Sequence, residues 1–202
     1  VSGGQRVRSC TLVPFDITQG QVTGAPRTQD VDLVAMSGGW TPSVHLSSHR
    51  GIKPSFRDDL GVFVPGGFDA GHAGAGAMVG CRGFAQAVRS GWEAAQLAAS
   101  HLGKSLAGDG PELPTDDGMS MAFVAAAPIP GGKRAGKAFV DFQNDVTVGD
   151  IDLAHREGYR SVEHLKRYTT LGMGTDQGKT SNLNALAIMA AKRSLGMDAV
   201  GT

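Results

Sequence analysis

A run of glycines constrains this chain more than any other feature: GVFVPGGFDAGHAGAGAMVGCRG, from Gly61 to Gly83, holds eight of the thirty glycines in the sequence. Backbone without Cβ atoms either turns tightly or approaches something closely. The run opens on VFV, a short apolar stretch that suits a buried strand. After it, Phe84, Ala87, Val88, Trp92, Ala95, Ala98, Ala99 and Leu102 recur at helical spacing, and Gly103 supplies a stop. Strand, glycine loop and helix in that order describe one α/β unit. Gly74, Gly76 and Gly80 give G-x-G-x-x-x-G, which departs from the dinucleotide fingerprint by one residue and starts several residues after its strand. The glycines therefore read as close helix packing within a dinucleotide-type fold. Upstream, VDLVAM (Val31 to Met36) is an apolar run closed by Ser37, Gly38 and Gly39, which predicts a buried parallel strand ending in a turn. Open α/β sheets bind ligands at the carboxyl ends of their strands, so Ser37, Gly38, Gly39, Trp40 and Thr41 are candidates to line a dinucleotide site.

Between Gly108 and Gly132 the composition shifts to Gly, Pro and Asp around MSMAFVAAA, which reads as a linker that adds at most one strand. Helices follow. Thr147 and Asp150 form a capping-box start for VGDIDLAHRE, which Gly158 ends. Ser161 is placed to cap VEHLKRY, closed near Leu171 and Gly172. Thr180 or Ser181 is placed to cap NLNALAIMAAKRSL, with Lys192 and Arg193 in its last turn and Gly196 after it. The loop between the last two helices contains GTDQGKT, but a phosphate-cradling G-x-x-x-x-G-K-[ST] needs a glycine where Met173 stands, and it must follow a strand. What remains is a helix start whose N–H groups favour an anion, with Lys179, Thr180 and Ser181 on one side and Lys166, Arg167, Thr169 and Thr170 on the other. A plain capped helix with solvated lysines accounts for the same residues.

Nineteen basic against nineteen acidic residues give no electrostatic case for nucleic acid or a membrane surface. No apolar run is long enough to cross a bilayer, and VSGGQRVRSC carries no signal-peptide core, so a soluble protein is expected. Cys10 and Cys81 stand alone, which suits reduced thiols in a cytoplasm. His155 and His164 lack partners at metal-ligand spacing and read as surface or satisfied core residues, and His72 in the glycine loop is within the reach of a ligand but reads first as an ordinary loop residue. Asp58 and Asp59, like Asp116 and Asp117, read as solvated turn residues. The chain opens in what reads as mid-strand and stops after a helix, which is the expectation for a piece of a longer polypeptide.

The block KAFVDFQNDVTVGDIDLAHREGYRSVEHLKRYTTLGMGTDQGKTSN, Lys137 to Asn182, resembles the α subunit of bacterial heterotetrameric sarcosine oxidase. VDLVAMSGGWTPSVHL resembles the closing strand of that subunit's pyridine-nucleotide domain, and VFVPGG through GFAQAVRSGWEAA the strand and last helix of its companion domain. The resemblance implies an α/β fold: the end of a two-dinucleotide-domain FAD/NAD(P)-binding region over 1–110, a linker over 111–136, and a small all-helical domain over 137–202. Related flavoenzyme α subunits carry a [2Fe–2S] centre in that helical domain, on V-C-x-C and on G-M-G-x-C-Q-G with a further cysteine. Here those places are Asp141, Gln143, Asp176 and Ser181, so no iron-sulfur cluster is expected. The family further implies NAD in the dinucleotide domains and FMN at the interface with the β subunit, with FAD in that subunit. It also implies tetrahydrofolate in a C-terminal domain, and γ and δ subunits. Its reaction oxidises sarcosine to glycine, with formaldehyde or methylene-tetrahydrofolate and hydrogen peroxide. Lys166, Arg167, Thr169, Thr170, Lys179, Thr180 and Ser181 are then the expected FMN-facing residues, none of them catalytic, and the chain alone is expected to be inactive. The α subunit of an amino-acid or opine dehydrogenase, or a non-catalytic docking module, is the alternative.

Overall fold

The computed structural model describes residues 1–16, 18–35, 39–113, 115 and 136–201. It mixes helices and strands, and the chain divides into two compact units: one drawing on Val1–Gly39 and Val124–Gly201, the other on Trp40–Phe123.

The first unit begins with β1 (Ser2–Gly3), β2 (Val7–Leu12), β3 (Phe15–Asp16), β4 (Gln21–Val22) and β5 (Arg27–Asp30). One sheet has the order β1-β2-β5, and β3 pairs with β4. RVRSCTLVPF does hold a strand. The strand expected over Val31–Met36 is absent from its described residues, Val31–Ala35; Met36 lies outside them. The reason is pairing. The ladder opposite Ser9–Leu12 is filled by the exposed segment Arg27–Asp30, with the Thr11 and Thr28 hydroxyls 3.0 Å apart across it. Only the Val31 N–H extends that ladder, to the Arg8 carbonyl at 3.0 Å. Apolar composition favours burial, but a strand exists only where a neighbour supplies its hydrogen bonds.

In the second unit, α1 (His45–Ser48) precedes β6 (Ser55–Arg57) and β7 (Val62–Val64). Val62 and Val64 are buried, as their sequence predicts. Their pairing is antiparallel, with β6. The turn between the two strands decides this: Gly61, at φ +64, donates to the Arg57 carbonyl at 2.7 Å and folds β7 straight back onto β6. Asp59 at that turn is bound by Arg57 and solvent-exposed, a turn residue as expected; Asp116 and Asp117 lie outside the described residues. A 3₁₀ turn over Gly76–Val79 leads into α2 (Phe84–His101). Gly103, at φ +67, stops α2: its N–H bonds the Ser100 carbonyl and the Lys104 N–H bonds that of Ala99, a Schellman closure.

The first unit resumes with β8 (Phe139–Asp141), β9 (Val146–Thr147), α3 (Val148–Arg156), α4 (Val162–Thr169), α5 (Asn182–Arg193) and α6 (Met197–Val200). Helix α3 packs on α4 and α5, and α5 on α6. Ile151, Leu165, Leu171 and Met189 are fully buried among them. Each such side chain contributes about 1.5–3 kcal/mol of burial. The predicted capping box of α3 is present: Asp150 N–H donates to Thr147 Oγ1 at 3.3 Å, and Thr147 N–H to Asp150 Oδ2 at 2.8 Å. Gly158, at φ +97, ends that helix as expected, with the Tyr159 N–H on the Ala154 carbonyl at 3.0 Å. The end of α5 differs from expectation. Ser194 rather than Gly196 takes the left-handed conformation, at φ +52, and Gly196 instead caps α6.

The capping box yields a first prediction. Thr147→Ala lowers the unfolding free energy by about 1 kcal/mol. Hydrogen bonds from Thr147 hold the Asp150 carboxyl below its ordinary value of 3.8. A depressed carboxylate contributes stability above its unfolded pKa that is lost as pH falls through the folded one. The difference between the denaturant midpoints of wild type and Thr147→Ala is therefore larger at pH 7 and narrows as pH falls below 3.8, leaving the part that the Asp150 N–H to Thr147 Oγ1 bond contributes.

Among the described residues no helix is long and apolar enough to cross a membrane. Cys10 and Cys81 are free thiols.

Candidate functional site

The loop from the end of α4 to the start of α5 is organised from below by β8. Asp141, the last residue of β8, is 2% exposed. Its Oδ1 accepts the N–H groups of Gln143 and Asn144, at 2.9 and 3.2 Å. Its Oδ2 accepts the Gly172 N–H at 2.7 Å and the Ser181 hydroxyl at 3.5 Å. Burial alone raises the Asp141 pKa, but the N–H groups of Gly172, Gln143 and Asn144 outweigh it and hold the carboxyl below the usual range. Gln143 Oε1 takes the Thr175 N–H at 2.7 Å and the Thr175 hydroxyl at 2.8 Å. Asp176 closes the far side: Oδ1 takes the Gly178 N–H at 3.0 Å, and Oδ2 takes the Thr180 hydroxyl at 2.6 Å and N–H at 3.1 Å. The Thr180 hydroxyl leads the set of donors that keep Asp176 ionised. The negative charge of Asp176 acts weakly against ionisation of Asp141, the smallest of the influences on that carboxyl.

The residues expected to form an anion cradle are thus distributed in two ways. Thr180 and Ser181 turn inward onto Asp176 and Asp141, and Ser181 caps α5 by position without a side-chain bond to the helix. Thr169 donates its hydroxyl to the Leu165 carbonyl at 2.8 Å, and Thr170, at φ +61, ends α4 and accepts from the Asn144 side chain at 3.0 Å. The cations stay outside. Arg167 and Lys179 are exposed and join no ion pair among the described residues, while Lys166 Nζ lies 4.0 Å from Glu163. An anion approaching this loop meets guanidinium and ammonium groups, because the Gly178 and Thr180 N–H groups are already bound to the chain's own carboxylate.

Of the second expected group, Ser37 and Gly38 lie outside the described residues. Gly39 has φ +92, Trp40 is 83% exposed, and Thr41 is exposed.

A cavity of about 580 Å³ lies within the second unit, between the glycine loop Phe68–Gly74 and one face of α2. That volume is in the range of small-molecule sites. His72, singled out in the sequence, lines it; Ser90, Glu93 and His101 of α2 also line it and were missed. The available signal is spacing: positions 90, 94, 97, 98 and 101 share one helical face, but periodicity does not say which face meets the loop. At Gly74 a Cβ would come within 2.3 Å of the Phe68 ring, which would have to shift to admit it. Asp69 at the rim is held ionised chiefly by its hydrogen bond from Arg50.

His155 faces Arg160, and among the described residues no group of three or more His, Cys, Asp or Glu side chains is placed to hold a metal ion.

Residues 135–202 match the Sarcosine oxidase A3 domain family. Sarcosine oxidase subunit alpha of Rhizobium meliloti (strain 1021) is 41% identical over 182 residues, which cover 89% of this chain and 18% of that protein. The subunit of the same name from Corynebacterium sp. (strain P-1) is 33% identical over 183 residues, covering 89% of this chain and 19% of that one. In Corynebacterium sp. (strain U-96) the figures are 34% over 171 residues, 83% and 18%. The chain thus spans less than a fifth of the length of these relatives. Among solved structures, L-proline dehydrogenase from P. horikoshii matches with a TM-score of 0.63 at 19% identity, over all of this chain and 40% of that one. That likeness is one of fold.

Proposed function

We propose, for a chain that belongs to the sarcosine oxidase α-subunit family, a role as the part of that subunit that joins a dinucleotide-binding region to the interface with the flavin-bearing partner. The observation that carries this reading is the 41% identity over 182 residues to a sarcosine oxidase subunit alpha. The assembly oxidises the methylamine nitrogen–carbon bond of sarcosine, giving glycine, formaldehyde or methylene-tetrahydrofolate, and hydrogen peroxide. NAD lies in the dinucleotide region (1–110), and residues 111–136 link it to the helical domain (137–202). FAD belongs to the β subunit, tetrahydrofolate to a further domain of the subunit, and γ and δ subunits complete a cytoplasmic complex.

The charge of the α4–α5 loop fits the phosphate of FMN. Arg167 and Lys179 are exposed cations, and the ionised carboxylates of the loop are turned to the chain's own N–H and hydroxyl donors, so an incoming anion meets the cations first. FMN, when bound, supplies one- and two-electron acceptance. The chain's own part is to hold its phosphate with Lys179, Arg167 and Lys166 and to fix the loop through Thr169, Thr170, Thr180 and Ser181. Gly39, Trp40 and Thr41, with Ser37 and Gly38, line the NAD end.

The test is Lys179→Ala in the complete enzyme. An exposed ionic contact contributes up to about 1 kcal/mol, so the variant binds FMN up to about fivefold more weakly. Flavin content after dialysis, read with sarcosine-dependent oxygen consumption, reports this. Unchanged flavin retention at normal activity removes Lys179 from the site. An enzyme with no response to sarcosine removes the whole reading.

A further inference from the structure

We infer that the α4–α5 loop is a metal-free, carboxylate-centred counterpart of a four-ligand metal loop, with Asp141 as its organising residue. The inference rests on the donor set and its hydrogen bonds, and it stands whichever substrate the assembly oxidises.

The four places that would hold cysteines in an iron-sulfur version of this domain carry two carboxylates, an amide and a hydroxyl: Asp141, Asp176, Gln143 and Ser181. Iron-sulfur iron is held by thiolates, so this set does not fit the cluster. All four side chains nevertheless still point to one loop. Their oxygens bind the N–H groups of Gln143, Asn144, Gly172, Thr175, Gly178 and Thr180. Three hydroxyls, of Thr175, Thr180 and Ser181, complete the network. Loop N–H groups of this kind otherwise donate to the sulfurs of a cluster. Here each finds an oxygen acceptor of the chain itself.

Charge supports the same reading. An oxidised [2Fe–2S] centre with four thiolates carries two net negative charges, and two ionised carboxylates carry the same. The replacement preserves the negative centre that the surrounding N–H dipoles solvate. It also leaves Asp141, the buried member, no vacant lone pair to recruit another cation. Asp141 spends both oxygens on two donors each, and Asp176 accepts three bonds.

Asp141 is singled out by reach. It alone joins β8 to both ends of the loop, at Gly172 and at Ser181, and it is the buried member of the pair. Asp176 bonds only within its own turn, to Gly178 and Thr180.

Hydrogen exchange of the intact protein tests the idea without depending on activity. Asp141→Asn removes acceptor capacity while keeping the shape, and exchange across 170–182 rises about tenfold or more while α3 and the second unit are unaffected. Asp176→Asn loosens only the turn around Gly178 and Thr180. Equal protection of the loop in wild type and Asp141→Asn overturns Asp141 as organiser. Iron and acid-labile sulfide are measured on wild type from iron-replete cells and on the D141C/Q143C/D176C/S181C variant after treatment with ferrous iron and sulfide. The expected result is no cluster in wild type and a cluster absorption in the variant. A stoichiometric cluster in wild type, or a folded variant that takes up none, overturns the equivalence of the four places.

Discussion

Gly178→Ala lowers the unfolding free energy of the first unit by about 2–5 kcal/mol. Two costs add at this position. Gly178 has φ +75, where an L side chain costs roughly 1–2 kcal/mol. A Cβ there also comes within 2.3 Å of Asn182 Oδ1 and 2.4 Å of its Cγ and Nδ2, and overpacking a filled site costs about 1–3 kcal/mol more. Gly158 is the control: φ is +97, but nothing lies within 4 Å of its Cβ, so Gly158→Ala shows the conformational cost alone. Thermal unfolding followed by circular dichroism at 222 nm separates the two. Asn182→Ala in the Gly178→Ala background restores part of the loss, because Asn182 Oδ1 is buried without a hydrogen-bond partner and its removal breaks no bond on that side. Equal costs at 178 and 158 would show that packing against Asn182 contributes nothing.

Leu165→Ala is expected to be comparably damaging, by about 2–5 kcal/mol, for a different reason. Leu165 is 0% exposed and lies on α4, which packs against α3. Ile151, Leu171 and Met189 are fully buried in the same unit, so removing the isobutyl group opens a cavity in a small core with little slack to collapse into it. A loss of this size is a large share of the ~5–15 kcal/mol that stabilises a typical domain. Leu195→Ala, at 40% exposure, costs less than about 1 kcal/mol. Urea titrations read by the same helical signal give the ratio. A Leu165→Ala midpoint no lower than that of Leu195→Ala would mean that the buried core of this unit does not hold it together.

Helix starts and stops were legible wherever the signal is complete within one or two turns. Thr147 and Asp150 satisfy each other three residues apart, and Gly103 and Gly158 each take positive φ at the position where composition places a stop. The same local reading misplaced the end of α5, since Ser194 adopts the left-handed conformation that glycine usually supplies. Strand content was less legible. VDLVAM has strand composition but no strand among its described residues, and VFV is buried as expected yet paired with β6 by a tight turn.

The candidate loop divides along the same line. Its residues could be named from the sequence, but not the directions in which their side chains turn. Ser181 was a cap by position, and its hydroxyl goes instead to a carboxylate forty residues upstream. Local sequence determined this protein's longer helices, the cap at Thr147, the stops at Gly103 and Gly158, and its family, because capping, glycine conformation and motif spacing act over a few adjacent residues. Tertiary structure alone decided that Asp141 meets Gly172 and Ser181, that Gln143 meets Thr175, and that the glycine loop encloses a cavity with Ser90 and His101. Those pairings join groups 14 to 40 positions apart, and for buried Asp141 and Ser181 the energy that selects the contact appears only when burial strips water from both partners at once.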